Sequence, residues 1–117
     1  MFKLIKKYSD IIVSFKIQRF EHFGDILRFR AEFLLHDHSI LHIRETVLGP
    51  YIRKYAYHWQ DASGKLIERW DNAPDWDVTT FPHHKHVGHD NLIEPSFERT
   101  IEQVLAFIRH RMNSPLK

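Results

Sequence analysis

The stretch YIRKYAYHWQDASGKLIERWD, residues 51–71, sets the architecture expected of this chain. Its first half alternates, with Tyr51, Arg53, Tyr55, Tyr57 and Trp59 on one side and Ile52, Lys54, Ala56 and His58 on the other. A period of two with aromatic enrichment marks a strand. DASG at 61–64 follows, with Asp at the first turn position and Gly at the fourth, which suits a type I turn closed by a left-handed glycine. KLIERWD then returns as the partner strand. If Asp61 pairs with Lys65, Tyr57 faces Arg69, Tyr55 faces Asp71 and His58 faces Glu68. In that register Glu68 orients the His58 ring and raises its basicity. A slip of one residue moves every partner to the other face.

Upstream the same period recurs. IIVSFKIQRF sets Ile11, Val13, Phe15 and Ile17 against Ser14, Lys16 and Gln18, and Gly24 supplies a turn. ILRFRAEFLL sets Leu27, Phe29, Ala31, Phe33 and Leu35 against Arg28, Arg30 and Glu32. ILHIRETVL alternates Leu41, Ile43 and Val47 with His42, Arg44 and Thr46. FKLIKKYS spaces Phe2, Leu4, Ile5 and Tyr8 as a short helix does. Residues 72–94 have no apolar period and read as a long histidine-rich loop. From 96 to 112 a C-terminal helix is expected, with Ser96 as N-cap and Phe97, Ile101, Val104, Leu105, Ile108 and Met112 as its stripe. The sum is α+β: an antiparallel meander of about five strands, its N- and C-terminal helices packed on one face. The other face stays partly open to a ligand.

The bulk numbers set limits. A chain of 117 residues makes one domain, 1–117, and 43% apolar content with 14% aromatics excludes disorder. No apolar run reaches the ~18–20 residues of a membrane span, and the start lacks the apolar block of a signal peptide. Cysteine is absent, which excludes disulfides and thiolate zinc sites and makes the cytoplasm the expected location. Charge is uneven: Lys3, Lys6, Lys7, Lys16 and Arg19 face only Asp10 in the first twenty residues. Asp71, Asp75, Asp77 and Asp90 face only Lys85 from 71 to 91.

The chemistry-bearing stretch is TFPHHKHVGHD, 80–90, where His83, His84 and His86 stand behind Pro82 beside Lys85. Three or four imidazoles with Asp71 or Asp90 would suffice for a divalent metal, yet neither H-E-x-x-H nor an i,i+4 histidine pair is present. The metal reading therefore ranks below acid–base work, and no cofactor is expected. Cleavage of RNA by its own 2′-hydroxyl needs a base, an acid and a cation for the developing charge. Histidine fills either proton-transfer role, and Lys85 or Arg69 stabilises the charge. Arg69 and Asp71 share a face, so Asp71 holds the guanidinium either as a structural pair or as a fork for phosphate. Tyr57, Trp59 and Lys54 are the expected RNA contacts, the rings by stacking if their face is open, and otherwise core residues. His36, His38, His42 and His110 read as turn, solvent-face or helix-end residues without chemistry.

Three strings carry a resemblance: Tyr55-x-Tyr57-His58-Trp59, Arg69-Trp70-Asp71-Asn72-Ala73-Pro74 and Phe81-Pro82-His83-His84-Lys85-His86. Together they resemble the TumE-type toxins of prokaryotic toxin–antitoxin systems, over about Ile11 to Ile108. The resemblance implies a cytoplasmic type II toxin encoded beside a helix-turn-helix antitoxin and acting as a ribonuclease. Tyr57, His58, Arg69, Asp71, His83, His84, Lys85 and His86 match the motif positions. After Pro74 this chain reads Asp75-Trp76-Asp77, where relatives are often histidine-rich. The expectation is a metal-independent endoribonuclease with His58, Arg69, Asp71, His83, His84, Lys85 and His86 at its site. The alternatives are a metal-dependent nuclease or hydrolase and a non-enzymatic module that binds nucleic acid or the antitoxin. RNA and the antitoxin are the expected partners, with a homodimer as a further possibility.

Overall fold

The computed structural model describes residues 2–114; Met1 and residues 115–117, the ends of the expected 1–117 unit, lie outside the described residues. The elements run α1 (Phe2–Lys7), β1 (Ile12–Phe23), β2 (Ile26–Leu35), β3 (Ile40–Leu48), β4 (Ile52–Gln60), β5 (Leu66–Asp71), β6 (His84–Val87), β7 (Leu92–Pro95) and α2 (Ile101–Met112). All strands pair antiparallel with their sequence neighbours in one seven-stranded sheet. The α+β class holds, and the strand count of about five is corrected to seven. Both added strands come from the segment expected to be a loop. The buried positions of β6 are His84 and His86, so its period of two is written in histidine and not in apolar residues.

One face of the sheet is apolar. Phe29, Phe33, Leu41, Ile43, Tyr57, Trp59 and Trp70 are buried there beneath Ile101, Val104, Leu105 and Ile108 of α2. Each large side chain so covered contributes about 1.5–3 kcal/mol. Phe107 of α2 meets Trp70 and Trp59 edge-on, with ring centres 5.4 and 6.5 Å away. α1 is tied to the same layer: Arg109 donates to the Lys7 carbonyl at 2.8 Å and lies over the Tyr8 ring. α2 starts later than expected. Thr100, not Ser96, is its N-cap, and Thr100 and Gln103 form a reciprocal capping box. Phe97, expected on the buried stripe, is exposed.

The hairpin register is where expectation and structure part. The turn forms as expected: Asp61 N–H donates to the Lys65 carbonyl at 2.9 Å, and Gly64 has φ +89°, a region open to glycine. Gln60 pairs with Leu66, but Trp59 pairs with Glu68, so Ile67 is an extra residue on β5. Past this bulge His58 faces Arg69, Tyr57 faces Trp70 and Ala56 faces Asp71. The expected pairs His58–Glu68, Tyr57–Arg69 and Tyr55–Asp71 are therefore overturned. The physical reason is burial. The regular register would seat Arg69 and Asp71 beneath α2 and turn Trp70 to solvent, whereas the bulge buries Trp70 and turns both charges outward. The orphaned Ile67 carbonyl accepts from Gly88 N–H at 2.9 Å, at the β6–β7 turn.

Candidate functional site

The bulge puts Arg69 and Asp71 on the face that carries His58, away from the helices. There β6 lies against β5, with His86 opposite Arg69 and His84 opposite Asp71. On the other side β3 lies against β4, with His42 opposite His58 and Arg44 opposite Ala56; β2 adds Arg30 opposite Arg44. The open face is thus a polar strip built from five consecutive strands.

Its hydrogen bonds form a chain. Arg69 Nη1 donates to His58 Nδ1 at 3.2 Å, and Arg69 Nε donates to Asp71 Oδ2 at 2.9 Å. An arginine can only donate, so His58 accepts at Nδ1 and carries its proton on Nε2. Burial, then the neighbouring Arg69, His42 and His86, holds the His58 ring below the ordinary imidazole pKa, which keeps it neutral. Asp71 Oδ1 takes the Ala73 N–H at 3.0 Å and lies 2.9 Å from His84 Nε2. Asn72 completes the strand end, its side chain accepting from Tyr55 N–H at 3.0 Å and donating to the Arg53 carbonyl at 2.7 Å. These bonds give Arg, Asp and Asn of the string Arg69-Trp70-Asp71-Asn72 their structural roles.

Two adjoining hollows lie over this face. One, of about 340 Å³, is lined by Arg30, Glu32, His42, Arg44, His58 and Arg69. The second, of about 420 Å³, is lined by Lys54, Arg69, Asp71, Asn72 and Pro74. Arg44, Ala56 and Arg69 border both, and the small Ala56 side chain forms the shared floor. The side chains of Arg30, Arg44 and Lys54 make no hydrogen bond or ion pair among the described residues, so three unneutralised cations line the groove.

The expected site residues divide between the two faces. His58, Arg69, Asp71, His84 and His86 come together on the open face, and Lys54 borders the groove. Tyr57 and Trp59 are 0% and 2% exposed under α2, so base stacking on them is excluded and their expected RNA contact is corrected. Tyr57 Oη accepts from Arg53 Nη2 at 2.8 Å, a packing role. Lys85 lies on the helix side, 4.0 Å from Glu68 and 3.8 Å from Glu94, and does not reach the groove. His83 stacks on Tyr55 and its Nδ1 lies 2.9 Å from Tyr55 Oη, also away from His58. His42, Arg44 and Arg30 join the site without having been expected there; the signal for them is the polar alternation along β2 and β3.

His84 is fully buried, His86 and Asp71 nearly so, and Trp76 covers both rings with its centre 6.3 and 5.7 Å away. Among the described residues Asp71, His84 and His86 form one group whose ligand atoms all lie within 4.8 Å of one another, a set with the composition of a divalent metal centre.

Residues 1–112 match the family described as Toxin TumE, and the chain belongs to that toxin family. No curated protein and no solved structure is matched by the chain. Among the described residues no helix is long and apolar enough to cross a membrane.

Proposed function

We propose that this toxin is an endoribonuclease whose open sheet face binds single-stranded RNA and cleaves it by imidazole acid–base chemistry. The observation that carries the reading is the groove itself. Two facing imidazoles, His42 and His58, with ring centres 6.0 Å apart, stand between Arg69 and the unpaired Arg30 and Arg44. Guanidinium groups bind phosphate oxygens in a fork and stabilise charge on them. In the resting state Arg69 occupies the His58 Nδ1 lone pair. A phosphate that draws Arg69 to itself frees that lone pair beside the sugar, where it accepts the ribose 2′-hydroxyl proton. The 2′-oxygen then attacks phosphorus, and His42 delivers a proton to the departing 5′-oxygen. Asp71 positions Arg69 through its Nε. Lys54 and Arg44 hold the flanking phosphates.

This assignment moves the second imidazole from the 83–86 cluster to His42, because His84 is sealed from solvent and His83 faces the other way. The reaction predicts products with 2′,3′-cyclic phosphate and 5′-hydroxyl ends. An RNA carrying a single 2′-deoxy sugar at the cleaved position should resist the enzyme. Cleavage of the deoxy substrate at the same position would contradict 2′-hydroxyl attack. A cytoplasmic site of action and a helix-turn-helix antitoxin partner accompany this reading. Co-expression with the neighbouring gene product, read by growth and by co-purification, tests the partner. Size-exclusion chromatography of the toxin alone tests the homodimer.

A further inference from the structure

His84 and His86 carry an arrangement that acid–base chemistry in the groove does not use. His84 Nδ1 lies 2.9 Å from the Pro82 carbonyl, and His86 Nδ1 lies 2.8 Å from Asn91 Oδ1. Both partners accept, so both Nδ1 atoms carry protons, and the tautomer this fixes leaves the lone pair of each ring on Nε2. Those lone pairs converge. His84 Nε2 is 3.2 Å from His86 Nε2 and 2.9 Å from Asp71 Oδ1, and His86 Nε2 is 3.5 Å from Asp71 Oδ2. Three buried acceptors so close need something positive among them. Ligands at about 2.0–2.1 Å from a tetrahedral zinc ion stand about 3.3 Å apart. The two Nε2 atoms, 3.2 Å apart, have that spacing, and each has one Asp71 oxygen at a similar distance, Oδ1 at 2.9 Å from His84 and Oδ2 at 3.5 Å from His86.

We propose that Asp71, His84 and His86 bind one first-row divalent ion of the zinc class, through Asp71 and the two Nε2 atoms. Two imidazoles and a carboxylate favour zinc, cobalt or nickel over magnesium or calcium, which take oxygen ligands. The Pro82 carbonyl and Asn91 supply the outer hydrogen bonds that fix ligating histidines in one tautomer. Asp71 serves both sides: its carboxylate accepts from Arg69 Nε at Oδ2 and also borders both Nε2 atoms, Oδ1 beside His84 and Oδ2 beside His86. The ion would thereby hold Asp71, and through it Arg69, against the groove. The proposal is independent of RNA cleavage, since it concerns binding alone.

The test uses the full chain without a histidine tag, stripped with EDTA and titrated with zinc by calorimetry, and with cobalt(II) as a spectroscopic probe. One zinc per chain is expected, with cobalt(II) bands of a low-coordinate nitrogen–oxygen site. His84→Ala and His86→Ala should each weaken zinc binding by about a hundredfold or more, and His89→Ala, outside the group, should bind as wild type. Zinc binding that is absent at stoichiometric concentration, or equal in wild type and in the His84→Ala/His86→Ala double variant, overturns the proposal; a proton then closes the network. Where the variants do not fold, imidazole nitrogen NMR of the wild type decides. Two Nε2 resonances moving to the metal-bound range support the site, and an unchanged spectrum overturns it.

Discussion

Asp71 is the residue on which the open face converges, since it accepts from Arg69 and Ala73 and faces both buried imidazoles. Leaving a buried donor without its acceptor costs about 1–3 kcal/mol, and an exposed ion pair adds little to that. Asp71→Ala should therefore lower stability by about 1–3 kcal/mol in urea unfolding with EDTA present, mainly because the Ala73 N–H is left without its acceptor, the partly exposed Arg69 guanidinium being screened by solvent. His58 gives a pH signature. Its folded pKa lies below the ordinary imidazole value of about 6.5, first because it is buried and then because Arg69 is near. The unfolded chain thus binds the proton more readily, so the stability His58 contributes is full above about pH 6.5 and is lost as pH falls through its folded value. His86, depressed mainly by burial, acts in the same direction. Glu68, raised by burial, acts oppositely: its contribution is full at low pH and lost as pH rises through its folded value. The difference between wild type and His58→Gln isolates the His58 part. The wild type should lose more stability than the variant between about pH 7 and pH 5.5, as read by urea midpoints.

Among the elements, β2, β3 and β4 and the DASG turn are legible in the sequence because they alternate apolar with polar residues, the pattern that water itself enforces. β6 is not. Its buried positions are histidines, set beside Asp71 under Trp76 and fixed through Nδ1 by the Pro82 carbonyl and Asn91, so hydrophobicity alone cannot find it. On a strand, the i,i+2 spacing of His84 and His86 puts both rings on one face beside Asp71, a metal-like set that helical spacing rules do not contain. The bulge at Ile67 is hidden for a different reason: turn geometry sets the register locally, and burial of Trp70 resets it within the same strand. The start of α2 is ambiguous because Phe97 lies four residues before Ile101 and so fits the stripe, while the capping signal that decides the start is the Thr100–Gln103 box. That box makes its own prediction. Thr100→Ala should cost about 1 kcal/mol in urea unfolding, whereas Ser96→Ala should not act through helix capping.

In the molecule as a whole, the sheet has one face buried under two helices and one face left to polar chemistry, within extents of 41 × 34 × 21 Å. That division sets out the candidate groove, which side chains of β1 to β5 line. The partition of the motif residues between the faces follows from it. Tyr57, Trp59 and Lys85 point to the helix side, while His58, Arg69 and Asp71 point outward. If Arg30 and Arg44 bind phosphates, Arg30→Ala/Arg44→Ala should weaken binding of single-stranded RNA of any sequence. The slope of log affinity against log salt should fall by about 0.7 for each phosphate no longer neutralised. An unchanged slope would place the RNA elsewhere. Imidazole catalysis itself is tested by comparing purified wild type with His58→Gln on single-stranded RNA, at matched folding and matched RNA affinity. Wild type should cleave to 2′,3′-cyclic phosphate ends, and His58→Gln should be slower by about a hundredfold or more. Cleavage by His58→Gln at the wild-type rate, or RNA left intact by wild type, would refute it.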